Sequence, residues 1–153
     1  MKSLELKIPP PVYALGMAGL MWLLNQYFPL AHLVSSPWNK MGLGIIVLAI
    51  ALDSSSLFLF LKKHTTINPM HPDHTKSLVT EGLYRYTRNP MYVGLLVILT
   101  GFAIMLGSIT PFLILPLFYW LITTQQILPE ERILEEKFGQ QYLDYKKRVK
   151  RWL

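Results

Sequence analysis

Four long apolar blocks constrain what this chain can fold into more than any other feature. They run from about Val12 to Phe28, from Met41 to Leu61, from Met91 to Leu106 and from Pro111 to Leu128. Each comes close to the ~20 residues that a helix rising ~1.5 Å per residue needs to cross a ~30 Å hydrocarbon core. Lipid has no water to satisfy an open strand edge, so helices are the structures such blocks form. The last two blocks are joined by only Gly107, Ser108, Ile109 and Thr110, which forces an antiparallel hairpin. Of the 153 residues, 52% are hydrophobic and gathered in blocks rather than in short amphipathic periods, so the chain reads as one domain, residues 1–153, of membrane composition. The expected fold class is all-α: an integral membrane helical bundle of about four transmembrane helices, followed by a C-terminal amphipathic cytoplasmic helix.

The basic residues orient that bundle. Lys2 and Lys7 lie in the N-terminal segment, Lys62, Lys63, Lys76, Arg85 and Arg88 in the loop 62–90, and seven more in the tail 129–153, which leaves Lys40 alone on the opposite side. By the positive-inside rule the termini, the loop and the tail face the cytoplasm. The formal charge of +6 is thus a matter of topology, and no nucleic-acid partner is expected. The chain has no cysteine, which excludes disulfides, thiolate zinc sites and cysteine nucleophiles. The first apolar run follows Pro9-Pro10-Pro11 and is too long for the apolar part of a cleavable signal peptide. In the tail, Pro129 suits a first helical turn, and Leu134, Phe138, Tyr142, Tyr145 and Val149 recur at helical spacing on one face. Trp152 then reads as an interfacial anchor.

Three polar constellations stand out against this background. The segment Thr80 to Gly94, TEGLYRYTRNPMYVG, sets Arg85, Arg88, Tyr84, Tyr86 and Tyr92 around an Asn-Pro step at the start of the third block. A helix start with Arg88 beside it suits an anionic group; the same residues would equally serve to snorkel and anchor at the interface. Glu130-Glu131, directly after the fourth block, could bind a cationic or hydroxyl-rich ligand or act as a base, or could compensate a helix dipole. Asp53, followed by three serines inside the second block, is either a functional group or a packing residue that joins helices. Of the histidines, only His71 and His74 are close, and spacing supplies no third ligand, so no metal site is expected. Gly42-x-Gly44 lies within a block and reads as helix packing, and no GxGxxG is present.

The ordered motifs Gly82-Leu83-Tyr84, Arg88-Asn89-Pro90-Met91-Tyr92, Glu130-Glu131-Arg132-Ile133-Leu134 and Phe138-Gly139-Gln140-Gln141-Tyr142 resemble those of the isoprenylcysteine carboxyl methyltransferase and phospholipid methyltransferase family. The likeness covers roughly residues 64–150; the first two blocks carry no diagnostic match. It implies S-adenosylmethionine as cofactor, held beneath the last two spans by Lys76, Ser77, Leu78, Val79, Tyr84, Asn89, Pro90, Met91, Tyr92 and Glu130. The expected acceptor is lipophilic and enters laterally between helices, and Arg88 and Glu131 are the expected catalytic residues, Glu131 being the available base where the acceptor needs one. Two positions depart from the family pattern. Asn89 replaces a histidine and cannot shuttle a proton at neutral pH. Gln126 stands at the substrate-facing position where the prenylcysteine enzymes carry arginine, and an amide holds a carboxylate less well than a guanidinium. The alternatives are an NADPH-dependent membrane reductase of similar helical architecture and a non-catalytic membrane scaffold.

Overall fold

The computed structural model describes residues 5–62 and 77–153, with side chains over 5–54 and 77–153. Its regular elements are helical: α1 (Pro10–Tyr27), α2 (Met41–Lys62), α3 (Pro90–Leu106), α4 (Ile114–Ile122), α5 (Leu128–Phe138) and α6 (Gln140–Arg148). Short 3₁₀ turns cover Trp38–Lys40, Gly82–Arg85 and Thr110–Leu113. Among the described residues there is no strand, only the isolated bridges His32–Ser108 and Thr87–Lys150. Helix α3 is central: α2 packs along it, α1 lies against it, and α4 packs on both α1 and α3. The core they enclose includes Met21, Leu99, Phe118 and Ile122, all essentially without exposure. The outward faces are apolar too, with Leu15, Trp22, Leu43, Val47, Leu48 and Trp120 exposed. Helices apolar all round suit lipid rather than water.

Local chemistry sets the ends of α3. Pro90 occupies the first turn, where its missing N–H costs nothing. At the other end Gly107 takes φ +82, and its carbonyl accepts the N–H groups of Leu33 and Val34 at 2.8 and 3.0 Å. Thr110 adds a second tie, receiving the Leu30 N–H and donating to the Phe28 carbonyl. The short hairpin link is thereby sewn to the α1–α2 connection.

The fourth block does not stop where its apolar sequence stops. Thr110 to Phe138 is one continuous 29-residue helical run, long and apolar enough to cross a membrane, whereas Pro90–Leu106 is a shorter apolar helix. Pro129 therefore lies inside a helix rather than opening one. A π-helical turn at Thr123–Ile127 makes this possible by widening the spiral just ahead of the ring. Proline also leaves the carbonyl four residues back without its donor. That carbonyl, on Gln125, instead accepts the Leu6 N–H at 3.0 Å, and the Gln126 Nε2 donates to the Ile8 carbonyl at 2.8 Å. Proline chemistry in one helix thus docks the N-terminal segment.

The tail is likewise not one helix. Gly139, at φ +51, breaks it into α5 and α6, and the chain turns extended at Val149. The apolar face survives the break: Tyr142, Tyr145 and Val149 are buried together, with Leu134, Phe138 and Leu78 against them. Trp152, half-buried, packs against the main core and stacks on Tyr119 at 4.7 Å between ring centroids.

The paired glycines of α2 divide their roles. A Cβ at Gly42 would run into the Gly101 carbonyl on α3, while one at Gly44 would meet nothing. Gly42→Ala is expected to lower thermal stability in detergent by about 1–3 kcal/mol, as overpacking does. Gly44→Ala is expected to be neutral or mildly stabilising. Equal melting temperatures for the two variants would remove the close α2–α3 crossing.

Candidate functional site

The site is assembled where the rim before α3 meets the end of the tail. The Gly82–Arg85 turn delivers Tyr84 inward, and the Tyr145 hydroxyl fixes it by donating to the Tyr84 carbonyl at 2.7 Å. The next residues run beside the chain terminus in a short parallel pairing. The Arg88 N–H donates to the Lys150 carbonyl at 2.9 Å, and Thr87 Oγ1 and Asn89 Nδ2 both donate to the Arg151 carbonyl, at 3.1 and 2.9 Å. Asn89, the residue that replaces the family's histidine, is therefore occupied in holding the tail.

Arg88 and Glu131 form the buried centre of this assembly, their side chains 8% and 7% exposed. Arg88 Nη2 donates to Glu131 Oε1 at 2.7 Å, and Nη1 donates to the Lys146 and Val149 carbonyls. Arg151 reaches the same carboxylate from the tail, Nε to Oε1 at 3.0 Å and Nη2 to Oε2 at 2.8 Å. Burial alone would raise the Glu131 carboxyl. The Arg151 hydrogen bonds and the charges of both arginines outweigh it and hold the group below its usual range. A carboxylate with three charge-assisted bonds has little affinity for a proton, and Glu131 ties α5 to both Arg88 and Arg151. Both Nη groups of Arg88 are thus engaged with the tail and Glu131, while its buried Nε has no partner among the described residues.

The neighbouring glutamate is in the opposite condition. Glu130 receives one hydrogen bond, from the Tyr92 hydroxyl to Oε2 at 3.0 Å, and no cation pairs with it among the described residues. Desolvation pushes its carboxyl up to about 7, helped by the Glu131 charge, with the Tyr92 bond pulling the other way. Tyr84 lies beside it, its phenol raised by burial and then by the charges of Glu130, Tyr145 and Asp53. Glu130, Tyr92 and Tyr84 thus form a carboxylate-bearing aromatic cradle, and among the described residues no cation pairs with its carboxylate. The expectation that Glu130-Glu131 compensate a helix dipole fails for a simple reason. The helix is continuous through them, so there is no free N-terminus to compensate.

The structure does not gather every residue singled out in the sequence. Pro90 is buried and Met91 half-buried at the start of α3. Val79 is buried and Leu78 packs on the tail cluster, with Ser77 just before them. Lys76 lies outside the described residues, as do His64, His71 and His74. Gln126 is fully buried in the π turn, one turn before Glu130, its Nε2 spent on Ile8 and its Oε1 without a protein partner. Sequence reasoning missed Arg151, Thr87 and Tyr145. Arg151 carried a visible signal, a basic residue beside an aromatic terminus, but it was absorbed into the topology count.

With that geometry in hand, the likeness to known proteins becomes specific. Residues 38–141 match the phospholipid methyltransferase family model. The chain belongs to that family. The matched region begins at Trp38 and so takes in α2, which carries no motif legible by eye. A protein-S-isoprenylcysteine O-methyltransferase of Schizosaccharomyces pombe is 32% identical over 122 residues, which are 78% of this chain and 51% of the relative. Protein-S-isoprenylcysteine O-methyltransferase B of Arabidopsis thaliana is 29% identical over 111 residues, 72% of this chain and 56% of the relative. An uncharacterized Haemophilus influenzae protein is 43% identical over 63 residues, 41% of this chain and the whole of that protein. The chain thus spans about half the length of the two named methyltransferases.

Proposed function

We propose that this phospholipid methyltransferase family member is a membrane-embedded methyltransferase that uses S-adenosylmethionine on a lipophilic acceptor. Residues 1–153 act as one domain of four spans, with the termini and the site on the cytoplasmic face. The observation that carries the reading is the contrast between the two adjacent glutamates: Glu131 is saturated by two arginines, while Glu130 is desolvated with a single tyrosine bond. A carboxylate left in that state fits a ligand bearing hydroxyls and positive charge. S-adenosylmethionine has a ribose, an ammonium and a sulfonium, and tyrosine faces favour its cationic part.

Within this reading Glu130 accepts from the ribose or ammonium, Tyr92 holds Glu130 in place, and Tyr84 walls the cradle. The stretch Lys76 to Val79 and the Asn89 to Met91 start of α3 complete the contact set. Arg88 and Glu131 act as positioning residues that pin the tail over the site and keep water out. Gln126 stays on the acceptor side through Oε1. When bound, the cofactor supplies a methyl group already activated by its sulfonium, so the protein contributes alignment and dryness more than acid–base chemistry. The reductase alternative is less well served. Arg88 and Arg151 are already paired with Glu131, leaving neither for a 2′-phosphate.

Titration calorimetry of the purified protein in neutral detergent tests the proposal. S-adenosylmethionine is expected to bind with one site per chain and NADPH to give no heat. Tyr92→Phe, which deletes only the hydroxyl on Glu130, is expected to weaken the cofactor by about 1 kcal/mol, roughly fivefold. NADPH binding, or silence with S-adenosylmethionine at any accessible concentration, would overturn the reading.

A further inference from the structure

The π turn at Thr123–Ile127 decides which glutamate meets which partner. An α-helix advances about 100° per residue, and a π turn holds one residue more than an α turn, so every residue after it stands one position back around the axis. Were the turn to close into α-helix, Pro129 would move into the place of Glu130, and Glu130 into that of Glu131. Tyr92 would lose its carboxylate, and Arg88 and Arg151 would lose Glu131. Such turns are rare and frequent at functional sites. Here the groups that hold it come from outside the helix.

Residues 5–8 supply them. The Leu6 N–H donates to the Gln125 carbonyl at 3.0 Å, the group that Pro129 leaves without a donor, and the Ile8 carbonyl accepts from Gln126 Nε2 at 2.8 Å. Glu5 pairs with Arg132, beyond the turn. Neighbouring residues of the N-terminal segment thus grip the helix on both sides of Pro129. The ion pair is open to solvent, its arginine 58% exposed, so the two hydrogen bonds carry most of the grip. The segment takes an unfavourable shape to make them. Leu6 sits at φ +56, the one non-glycine residue with positive φ among those described. Backbone strain of that kind persists only where the surroundings enforce it.

We infer that residues 5–8 splint the π turn, with Leu6 as a positioning residue whose N–H sets Glu130 on Tyr92 and Glu131 on the two arginines. The consequence for the cofactor rests on the methyltransferase reading. The consequence for the tail stands on its own, because Arg88 and Arg151 reach α5 through Glu131 whatever the site binds.

Lys7→Pro tests it, since proline holds the residue before it in extended backbone, which Leu6 must leave, and Lys7 itself is exposed. Hydrogen exchange is followed by mass spectrometry on the full chain in neutral detergent. In Lys7→Pro it is expected to quicken about tenfold over residues 123–135 and 146–151, as loss of two hydrogen bonds would give, and to stay unchanged over residues 99–113. Leu6→Gly, which keeps the N–H and accepts the same backbone, is expected to retain the protection. Deletion of Thr124 combined with Pro129→Ala removes the extra residue and gives the Gln125 carbonyl a donor from within the helix, leaving Glu130 in place. In that background Lys7→Pro is expected to change nothing. Quickening spread evenly over the chain, none at residues 146–151, an equal loss in Leu6→Gly, or sensitivity that persists in the deletion background would each overturn the inference. Calorimetry with S-adenosylmethionine on the same samples separates the two readings, its affinity being expected to fall about tenfold in Lys7→Pro. The expected exchange pattern without cofactor heat in any sample would sink the methyltransferase proposal and leave the splint standing. Cofactor binding that Lys7→Pro leaves untouched, with exchange unchanged, would do the reverse.

Discussion

Glu131→Ala is expected to destabilise the protein by about 3–5 kcal/mol, the cost of breaking a buried ion pair and stranding its partner. Two arginines depend on this one carboxylate, and Arg88, only 8% exposed, has no way to reach water once it is gone. The loss should appear as a fall in melting temperature on the order of 10 °C. The tail should also loosen, because the ties of Arg88 and Arg151 to α5 both run through Glu131. Limited trypsin digestion would report this as early cleavage among the basic residues from Lys146 to Arg151. The pH dependence has a defined sign. The Glu131 carboxyl lies below its ordinary value of 4.5 in the folded protein, so its contribution is fully present above that value and fades as pH falls beneath it. Adding Arg88→Ala to Glu131→Ala is expected to cost less than the sum of the two single changes, since each alone leaves a buried charge unpaired. An unchanged melting temperature and digestion pattern would show that the tail is held by something else.

Much of the fold was legible because the deciding signals are local. Pro90 and Gly107 mark the two ends of α3 in sequence as they do in space, and the four-residue link to the next helix leaves one topology. Pro129 misled for a physical reason. Proline at a helix start and proline after a π turn look identical in sequence, and what distinguishes them is the Leu6 N–H that takes over the orphaned Gln125 carbonyl from the far end of the chain. Gly139 was in plain view, but an apolar face that continues across it masks the break. In the site, the cradle residues Tyr84, Tyr92 and Glu130 were all singled out because their motifs are short and ordered. The division of labour between Glu130 and Glu131 was not legible. It depends on Arg88, 43 positions upstream of Glu131, and on Arg151, 20 positions downstream, which only the folded chain brings together.

That division has an energetic logic. Two adjacent carboxylates on a helix emerging from an apolar stretch would both be unfavourable if left alone. One is neutralised by two guanidiniums and becomes the fixed point of the assembly. The other is left short of positive charge while its neighbour keeps it rigidly presented. The brace and the cradle are consecutive residues, so loosening the first should misplace the second. Damage to Arg88 or Arg151 would then reach cofactor affinity through geometry, without either residue touching the cofactor.

Glu130→Gln is the substitution expected to affect ligand binding most. It keeps the size and one acceptor oxygen, and so tests charge rather than packing. Removing a charge-assisted contact of about 1.5–3 kcal/mol should weaken S-adenosylmethionine by roughly ten- to 150-fold. Folding should survive, because no buried cation is left behind. The pH profile gives the sharper reading. In the ligand-free protein the Glu130 carboxyl titrates at about 7, since its burial is uncompensated. If the cofactor takes the ionised form, affinity should be flat above that pH and fall by up to about tenfold per unit below it, as the proton must first be removed. Glu130→Gln should flatten the profile across the same window. The stability of the ligand-free protein should move in the opposite direction. A carboxyl raised above its unfolded value of 4.5 loses stability as pH climbs toward its folded value, and the glutamine variant escapes that loss. A variant that binds S-adenosylmethionine as tightly as the unaltered protein, or a pH profile that the substitution leaves in place, would remove Glu130 from the cofactor site.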